Sequence, residues 1–489
     1  MIDASLLAKY EPVIGLEVHA QMLTKSKAFC SCSTEFGAPP NSRTCPICLG
    51  HPGTLPALNE NLVRFITRMG VATHCQIREK SIFARKNYFY PDLPKGYQIS
   101  QYETPICHDG WIEAELPDGS LKRIGITRIH MEEDSGKSIH DFGSETMVDL
   151  NRAGVPLIEI VSEPDMRSAD EAYAYLTQIK AIVTYLEICD GNMEEGSLRC
   201  DANVSVRVRG TEKFGQKTEV KNLNSFRNVQ RAIAAEIERQ IGLIENGEPV
   251  IHQTMQFDAN KGTTKAMRTK EEAHDYRYFP EPDLLPVTIT SDYIELVRKE
   301  IPELQRERRD RFVNEYSLPK YDADVLTADK MTADFLENTV TALDDRSAEN
   351  IKSVSNYIMG DVMRILTERK VSIGELSLNP KHLAELIGLV AASTISNKIA
   401  KDLLPELPGS AKSPKQIIEE RGMVQVSDEG ALRHAVKNIL AANPDNISKY
   451  KSGKTNLFGF FVGQTMKAMS GKANPTLLNE IVKEELEKV

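Results

Sequence analysis

The chain has 489 residues, and 60 Lys+Arg against 70 Asp+Glu give it a formal net charge of −10. At roughly 150 residues per domain, this length allows about three domains, each able to bury a core. Hydrophobic residues make up 41% and charged residues 27%, a mixture that excludes collagen-like, low-complexity and largely disordered chains. No run approaches the ~20 apolar residues of a membrane span, and the first residues lack the apolar core of a signal peptide. We therefore expect a cytoplasmic protein that does not bind membranes.

Residues 1–291 combine short β-rich runs with helical patterns, separated by Gly, Pro, Asp and Asn. Because the strands do not alternate regularly with helices, this part predicts an α+β domain with a substantially antiparallel sheet. The predicted strands are Pro12–Val18, Arg123–His130, Pro156–Val161, Asn203–Val208 and Thr218–Val220. The predicted helices are Asn61–Ala72, Ala169–Glu187 and Ser225–Glu245.

The remaining sequence predicts helices almost throughout, and we divide it into a helical domain, 292–405, and a helical tail, 406–489. The Pro/Gly/Ser-rich stretch 404–414 is the best candidate for the linker between them. The tail is mildly basic: residues 431–480 hold 7 Lys+Arg against 2 Asp+Glu. Such a surface suits a polyanion, and the alternative is an ordinary solvated helical face. Clear helical patterns lie at Tyr293–Lys299, Pro302–Asn314 and Ala333–Leu343.

Four of the eight cysteines are crowded into nineteen residues, as Cys30-Ser-Cys32 and Cys45-Pro-Ile-Cys48. Two close pairs at short separation can converge on one tetrahedral ion, and four thiolates are a ligand set typical of structural zinc. The alternative is four unrelated buried cysteines. A zinc site with four protein ligands has no open position, so it would stabilise the loop and would not catalyse.

Carboxylates and one histidine lie on the predicted strands. Glu17 and His19 are two residues apart and therefore share one face of the first strand. Glu159 interrupts an otherwise apolar run, where a charge must be paired, bound to a cation or turned toward a cleft. The acidic segment 130–134 adds Glu132 and Glu133, between which the pattern does not choose.

Two further strands carry polar faces. Asp201, Asn203 and Ser205 line one face of their strand, and Glu219 and Lys221 share a face of the next. Hard oxygen ligands with one imidazole suit Mg²⁺ or Mn²⁺, the ions that accompany nucleotide phosphates. The alternative is the solvated face of an antiparallel sheet, which alternates in the same way.

The segment 85–97 interleaves cations with aromatic residues, as a surface that stacks bases and holds phosphates requires, and 275–280 is similar. The alternative is a set of core aromatics. The sequence contains no Gly-x₄-Gly-Lys-Ser/Thr motif and no Gly-x-Gly-x-x-Gly turn that opens a helix after a strand. Any nucleotide is therefore bound without a P-loop or a Rossmann turn.

Long motifs along the whole chain resemble those of a known family. They are VIGLEVHAQ (13–21), RKNYFYPDLPKGYQISQY (85–102), RIHMEEDSGKS (128–138), DLNRAGVPLIEIVSEPD (149–165), MEEGSLRCDANVSVR (193–207), EVKNLNSF (219–226), DYRYFPEPDLLPV (275–287), NYIMGDV (356–362), SNKIAKDL and FGFFVGQTMK. These segments resemble the B subunits (GatB/GatE family) of tRNA-dependent amidotransferases.

The resemblance implies an ATP-dependent ligase component that converts Glu-tRNA(Gln) to Gln-tRNA(Gln), or Asp-tRNA(Asn) to Asn-tRNA(Asn). ATP phosphorylates the side-chain carboxylate, and ammonia from a glutamine-hydrolysing A subunit displaces the phosphate. The implied partners are that A subunit, a small C subunit that completes a heterotrimer, and the misacylated tRNA. The cognate non-discriminating synthetase is a further candidate. The implied fold of 1–291 is the antiparallel cradle of glutamine synthetases and guanidino kinases, followed by a helical domain and a tRNA-binding tail.

The resemblance also assigns residues. It implies His19, Glu133 and Glu159 as the principal Mg²⁺ ligands with Glu17 beside them, and so selects Glu133 over Glu132. The implied lining around ATP and its metal is Lys86, Asp201 and Glu219. Some family members have the four-cysteine loop and others lack it, so zinc is inferred here from the cysteines themselves.

Two other functions are compatible with parts of this pattern. One is a tRNA-binding scaffold whose carboxylate cluster does no chemistry. The other is a stand-alone ligase that joins ammonia to a free amino acid, which would have little use for a basic helical tail.

Overall fold

The computed structural model describes residues 4–139, 145–269, 276–423, 429–469 and 473–488. The chain divides into two compact units, residues 1–304 and 305–489. The first is mixed α/β with a large, mostly antiparallel sheet, and the second is helical. Among the described residues, no helix has both the length and the apolar character needed to cross a bilayer.

The strands of the first unit form one large sheet and three small ones. In chain order they are β1 (Tyr10–Gln21), β2 (Gln76–Ile77), β3 (Lys80–Ser81), β4 (Ala84–Asn87), β5 (Tyr97–Ser100), β6 (Cys107–Glu115), β7 (Leu121–Glu133), β8 (Lys137–Ile139), β9 (Met147–Asp149), β10 (Pro156–Ser162), β11 (Leu198–Val208), β12 (Thr218–Leu223), β13 (Gln253–Asp258), β14 (Thr263–Thr269), β15 (Phe279–Pro280) and β16 (Val287–Thr288). The large sheet has the order β14-β13-β12-β11-β1-β10-β7-β6-β2, and its pairs are antiparallel except β12 with β13. The small sheets are β15-β4-β5, β16-β3 and β8-β9.

Helices accompany the large sheet, and the first unit has one extensive core. They are α1 (Ala4–Lys9), α2 (Glu60–Ala72), α3 (Ala169–Tyr185), α4 (Phe226–Glu245) and α5 (Ser291–Lys299). Ser168 caps α3 and Ser225 caps α4, each by accepting a hydrogen bond from a first-turn amide. The even-numbered residues of β1, such as Leu16 and Val18, are fully buried and belong to the same core as the apolar residues of α3 and α4. The odd-numbered residues of β1 therefore lie on the opposite, polar face of the sheet.

The predicted α+β class is confirmed for this part of the chain, and each predicted strand lies within an observed one. The observed strands are longer. β11 begins at Leu198 and so includes Arg199 and Asp201, and β7 continues to Glu133, three residues past the predicted end.

The second unit consists of helices around two separate apolar clusters. They are α6 (Gln305–Glu315), α7 (Lys320–Thr327), α8 (Lys330–Thr341), α9 (Ala348–Tyr357), α10 (Met363–Arg369), α11 (Pro380–Ala391), α12 (Asn397–Leu403), α13 (Pro414–Glu420), α14 (Glu429–Ala441), α15 (Pro444–Lys451), α16 (Leu457–Ala468) and α17 (Pro475–Lys488). A π-helical turn, Ile358–Val362, joins α9 to α10, and a 3₁₀ turn, Leu404–Glu406, follows α12. One cluster draws its buried residues from 312–418 and the other from 432–486.

The stretch predicted as a linker, 404–414, contributes two buried leucines to the first of these clusters, whereas Glu406, Gly409, Ala411 and Lys412 are exposed. Leu404 and Leu407 are fully buried there, together with Ile417 and Ile418 from α13. Both leucine side chains are removed from water there, which stabilises this part of the segment. The division at residue 405 and the linker at 404–414 stay predictions.

Leu404→Ala should destabilise the second unit by about 3 kcal/mol, because a fully buried leucine loses its transfer energy and leaves a cavity. Urea denaturation followed by circular dichroism would measure the change. Tyr321→Ala is the control, since the Tyr321 side chain is 71% exposed and should change stability by less than about 0.5 kcal/mol. Equal effects of the two substitutions would mean that the 404–414 segment does not contribute to the core.

Candidate functional site

The polar face of the large sheet brings together ionisable residues that are far apart in sequence. His19 on β1 lies directly opposite Glu159 on β10, and Glu159 lies opposite His130 on β7. On the other side of β1, Glu17 lies opposite Asp201 of β11. Directly opposite residues of antiparallel strands point to the same face, so these five side chains share one surface.

Three of the side chains on this face converge closely. The Nε2 atom of His19 lies 3.5 Å from Glu159 Oε2 and 3.7 Å from Glu132 Oε1. One ligand atom from each of the three residues lies within 4.8 Å of the others, a spacing that suits a shared metal ion. Two carboxylates and one imidazole are a donor set that divalent cations of the Mg²⁺ and Mn²⁺ type accept.

The cluster is largely removed from solvent. The side chains of Glu132, Glu159 and His19 are 3%, 10% and 21% exposed. Burial would by itself lower the pKa of His19, but its hydrogen bond to Glu159 and the negative charges around it raise that pKa to about 9. Burial would likewise raise the pKa of Glu159, yet the charges of His130, His19 and Lys86 hold it below the ordinary value. The site thus stabilises positive charge between its carboxylates.

Within the described part of the chain, two polar atoms of this cluster are buried without a hydrogen-bond partner, Glu132 Oε2 and His130 Nδ1. The Nε2 atom of His130 lies 3.8 Å from Glu132 Oε2, too far for a hydrogen bond. A buried carboxylate oxygen without a partner is costly, so it indicates a place for an added ligand or ion.

Glu133, which the resemblance selects over Glu132, does not lie in this cluster. It is the next residue of β7 and therefore points to the opposite face of the strand. There its carboxylate pairs with Lys95 and accepts a hydrogen bond of 2.9 Å from the Ile99 amide. In this structure Glu132, and not Glu133, lies beside His19 and Glu159, and the role of Glu133 as a metal ligand stays a prediction.

Glu17, Asp201 and Glu219 form a neighbouring polar group. Glu17 Oε1 accepts a hydrogen bond of 2.9 Å from Asn203 Nδ2. The Lys221 amino group lies 2.7 Å from Asp201 and 3.0 Å from Glu219. Those two carboxylates raise the pKa of Lys221 although burial opposes its charge. Asp201 sits at a β-bulge between β11 and β12, a device that often redirects side chains beside active sites.

Lys86 interacts both with the cluster of His19, Glu132 and Glu159 and with aromatic side chains. Burial opposes its charge, but Glu132, Tyr278 and Glu159 raise its pKa. Its amino group lies 5.0 Å from the ring centre of Tyr276 and 5.8 Å from that of Tyr88. The two aromatic segments of the sequence thus meet, because β4 pairs with β15. Asp275, the first residue of the second segment, lies outside the described residues.

The four cysteines of the N-terminal loop also converge. The sulfur atoms of Cys30, Cys32, Cys45 and Cys48 all lie within 4.8 Å of one another. Four ligands at a Zn–S distance of about 2.3 Å would be roughly 3.8 Å apart, and Cys45 and Cys48 are separated by 3.9 Å. Hydrogen bonds from the Cys30 thiol and the Cys45 amide and the charge of Lys27 lower the pKa of Cys48 to about 4, although burial opposes this.

The cysteine loop is tied to the chain that leads into β10. The Ala28 amide donates to the Gly154 carbonyl oxygen at 2.8 Å, and the Arg43 amide donates to Asn151 Oδ1 at 2.7 Å. The fully buried Lys27 donates to the Leu150 carbonyl oxygen at 3.3 Å. The loop therefore supports the segment immediately before the strand that carries Glu159.

Sequence reasoning missed His130, the position of Glu132 and the ion pair between Arg199 and Asp134. His130 and Glu132 are two residues apart, so extending the predicted strand to Glu133 would have placed both on the face of Glu159. Arg199 lies opposite His19 and is 2.7 Å from Asp134. That pair could not be found from local alternation, because its two residues are 65 positions apart in sequence and Asp134 lies just past the end of β7.

The amino-acid sequence matches known families over most of its length. The profile described as the GatB/GatE catalytic domain matches residues 12–295, and the profile described as the GatB domain matches residues 334–486. The chain is 56% identical over 482 residues to the B subunit of the aspartyl/glutamyl-tRNA(Asn/Gln) amidotransferase of Geotalea uraniireducens, covering 98% of this chain and 99% of the relative. It is 55% identical over 481 residues to the protein of the same name from Geobacter sulfurreducens, covering 98% and 99%. The chain therefore belongs to the family of the B subunits of aspartyl/glutamyl-tRNA(Asn/Gln) amidotransferases.

Proposed function

We propose that the polar face of the large sheet activates the side-chain carboxylate of Glu-tRNA(Gln) or Asp-tRNA(Asn) with ATP, for conversion to the amide. The observation that carries this proposal is the cluster of His19, Glu132 and Glu159, in which one buried carboxylate oxygen has no hydrogen-bond partner among the described residues. Family membership supplies the reaction, and the cluster supplies a site in this chain that suits a cation-assisted phosphoryl transfer.

The donor set fits Mg²⁺, with His19, Glu132 and Glu159 as its ligands and Glu17 beside them. When bound, Mg²⁺ would offset the charge that develops on the phosphate oxygens of the nucleotide. Lys86, Asp201 and Glu219 are proposed to line the same pocket. Their own arrangement supports this, because the charges of Glu132 and Glu159 favour the charged form of Lys86, and Lys221 forms ion pairs with both Asp201 and Glu219.

The proposed chemistry has two balanced steps. A side-chain carboxylate oxygen attacks the γ-phosphorus of ATP, which gives an acyl phosphate and releases ADP. Ammonia then attacks the acyl carbon, phosphate leaves, and a proton is lost, which gives the amide. A low-exposure site favours the second step because water competes with ammonia for the acyl phosphate. The 3–21% exposure of the cluster is consistent with that need.

The partners of this chain are proposed from its family. An A subunit would hydrolyse glutamine and supply ammonia, a small C subunit would complete the heterotrimer, and the complex would work in the cytoplasm. The cognate synthetase that forms the misacylated tRNA is a further partner. The sheet of the first unit would correspond to the cradle fold of glutamine synthetases and guanidino kinases. The basic surface within 431–480 would hold tRNA phosphates, which makes binding salt-dependent.

The four-cysteine loop is proposed to hold zinc in a structural role. Its four sulfur atoms fit a tetrahedral ion, and no ligand position remains for a substrate. The hydrogen bonds of the loop to residues 150–154 support a role in fixing the start of β10.

Glu159→Ala tests the proposed function. We expect amidation to fall about 10²–10³-fold, because one of two carboxylates that hold the cation is removed from a low-dielectric site. The variant would be reconstituted with its A and C subunits and supplied with Glu-tRNA(Gln), Mg-ATP and ammonium chloride, so that glutamine hydrolysis is bypassed. Product formation and tRNA binding would both be measured.

Glu163→Ala is the matched control, since Glu163 directly follows the same strand and its side chain accepts a hydrogen bond of 2.8 Å from Thr127, outside the cation cluster. A Glu159→Ala complex that binds tRNA but makes no product supports the proposal. Normal amidation by that variant would instead mean that the chemistry lies in a partner and that this chain is a tRNA-binding scaffold.

A further inference from the structure

Among the described residues, the end of β7 that carries Glu132 has a paired strand on one side alone. On that side, β10 pairs with Met131, Glu132 and Glu133. On the other side, the pairing of β6 with β7 stops at Ile129. The backbone groups of β7 that face away from β10 beyond Ile129 therefore need other partners, because buried amide and carbonyl groups are costly when they are left unpaired.

Two buried glutamines supply such partners. The Met131 amide donates a hydrogen bond of 3.1 Å to Gln101 Oε1, and Gln98 Nε2 donates one of 2.6 Å to the Glu133 carbonyl oxygen. Gln98 is 5% exposed and Gln101 is 1% exposed, so little water can compete for these hydrogen bonds. The two side chains thus take the place of a neighbouring strand at the residues just before and just after Glu132.

A glutamine side chain suits this role because its amide offers an acceptor oxygen and a donor nitrogen. Gln101 uses both groups: its oxygen accepts from the Met131 amide, and its nitrogen donates at 2.6 Å to Ser81 Oγ on β3. The oxygen of Gln98 accepts a long hydrogen bond of 3.4 Å from the Tyr88 hydroxyl. A second partner therefore holds each amide in the orientation that β7 requires.

Gln98 also connects the strand of Glu132 to the strand of Lys86. Gln98 lies directly opposite Lys86 in the pair of β5 with β4, so the two side chains point to the same face of the small sheet. The hydrogen bond from Gln98 to the Glu133 carbonyl oxygen joins this small sheet to β7. The distance between Lys86 and the cluster of His19, Glu132 and Glu159 therefore depends on this connection.

We propose that Gln98 and Gln101 are positioning residues for the cation cluster. They hold the backbone of β7 on both sides of Glu132, so that Glu132 Oε1 stays 3.7 Å from His19 Nε2. This role rests on the proposed function, because it assumes that the cluster of His19, Glu132 and Glu159 binds a cation. The hydrogen bonds of the two glutamines to β7 involve backbone atoms alone, so their effect on the cluster is transmitted through the backbone.

Gln98→Met and Gln101→Met are the main test, because methionine keeps the approximate size of glutamine and removes its amide. In the complex with the A and C subunits, we expect the Kd of Mn²⁺ to rise about tenfold in each variant, a usual effect of losing a residue that orients a metal ligand. Electron paramagnetic resonance would measure Mn²⁺ binding without turnover. Hydrogen exchange followed by mass spectrometry should show faster exchange of the Met131 amide in Gln101→Met.

Gln240→Met is the matched control. Gln240 is fully buried on α4, and its Nε2 donates a hydrogen bond of 3.0 Å to the Val204 carbonyl oxygen of β11, outside the cation cluster. We expect this variant to lower the Tm as the other two do and to leave the Kd of Mn²⁺ unchanged. If the methionine variants do not fold, Gln98→Asn, Gln101→Asn and Gln240→Asn keep an amide but shorten the side chain by one methylene group, and the same pattern is expected.

The possible results separate the positioning role from the proposed function. Weaker Mn²⁺ binding in the Gln98 and Gln101 variants, but not in Gln240→Met, supports the positioning role. Equal weakening in all three variants would overturn it, and either glutamine whose variant binds Mn²⁺ normally has no such role; the proposed function would stand in both cases, because the wild-type complex still binds the ion. A wild-type complex that binds no Mn²⁺ would contradict the cation site, and with it both the proposed function and the positioning role.

Discussion

Glu132→Gln should lower amidation about 10²–10³-fold with little loss of stability, whereas Glu133→Gln should lower stability and leave divalent-metal affinity unchanged. The two residues are neighbours in sequence and share the same chemistry. They differ in the face of β7 to which each points. The pair therefore tests whether the position of the carboxylate, and not its presence in the acidic segment, determines the site.

For Glu132, the expected loss follows from its place in the cation cluster. Its Oε1 lies 3.7 Å from His19 Nε2, and its Oε2 is buried without a hydrogen-bond partner among the described residues. Glutamine keeps the shape but removes the negative charge that a divalent cation requires. Because His19 and Lys86 still have the Glu159 carboxylate nearby and no hydrogen bond of Oε2 is lost, we expect a change in stability below about 1 kcal/mol.

For Glu133, we expect the free energy of unfolding to fall. Its carboxylate pairs with Lys95, and the side chains of the two residues are 3% and 10% exposed. Removing one charge of a buried pair leaves the other uncompensated, which typically costs about 3 kcal/mol. Mg²⁺ affinity should be unaffected because Glu133 points away from His19 and Glu159.

Binding of Mn²⁺, followed by electron paramagnetic resonance, would measure metal affinity, and thermal unfolding would measure stability. The expected pattern is a loss of Mn²⁺ binding in Glu132→Gln alone and a lower Tm in Glu133→Gln alone. If Glu133→Gln lost Mn²⁺ binding and Glu132→Gln retained it, the assignment implied by family resemblance would be right and the geometric one wrong.

Glu132 and Glu133 also show what the sequence pattern can and cannot predict. Alternation along β1 and β11 is sufficient to group Glu17 with His19 and to place Asp201 on a polar face, because each strand has a clear apolar partner face. In β7, however, the last residues are polar on both faces, so the pattern does not show where the strand ends. A difference of one residue in a strand moves a side chain to the other face.

Local sequence patterns also cannot predict which strands lie next to each other in the sheet. β1 lies between β10 and β11, whose residues follow it by more than a hundred positions. Only that order brings Glu159 opposite His19 and Asp201 opposite Glu17. Composition favours a loop at 404–414, and it does not predict that Leu404 and Leu407 of this stretch are buried in an apolar cluster.

Removing the proposed zinc ion from the four-cysteine loop should lower amidation about tenfold or more, although the loop carries no proposed catalytic residue. Without a shared ion, the four cysteines are no longer held together as ligands. The loop should then become susceptible to proteolysis between residues 30 and 48. The loop is hydrogen-bonded to Gly154 and Asn151, just before β10. Loosening this segment would shift Glu159 relative to His19, and the cation cluster depends on that spacing.

Cys48→Ser should be more damaging than Cys32→Ser, although each removes one proposed zinc ligand. The Cys48 sulfur lies 3.7 Å from the amino group of Lys27, which is fully buried. Loss of the Cys48 thiolate would leave Lys27 with the Leu150 carbonyl oxygen at 3.3 Å as its remaining hydrogen-bond acceptor among the described residues. We expect Cys48→Ser to cost about 1–3 kcal/mol more than Cys32→Ser in unfolding experiments.

Zinc content by atomic absorption, limited proteolysis and amidation would be measured for wild type and both variants. Addition of Zn²⁺, but not Mg²⁺, to chelator-treated wild type should restore protection of residues 30–48 and activity together. The link between loop and catalysis would be contradicted if zinc-free protein were cleaved in the loop yet amidated normally. In that case the hydrogen bonds to residues 150–154 would be sufficient to hold β10 without the ion.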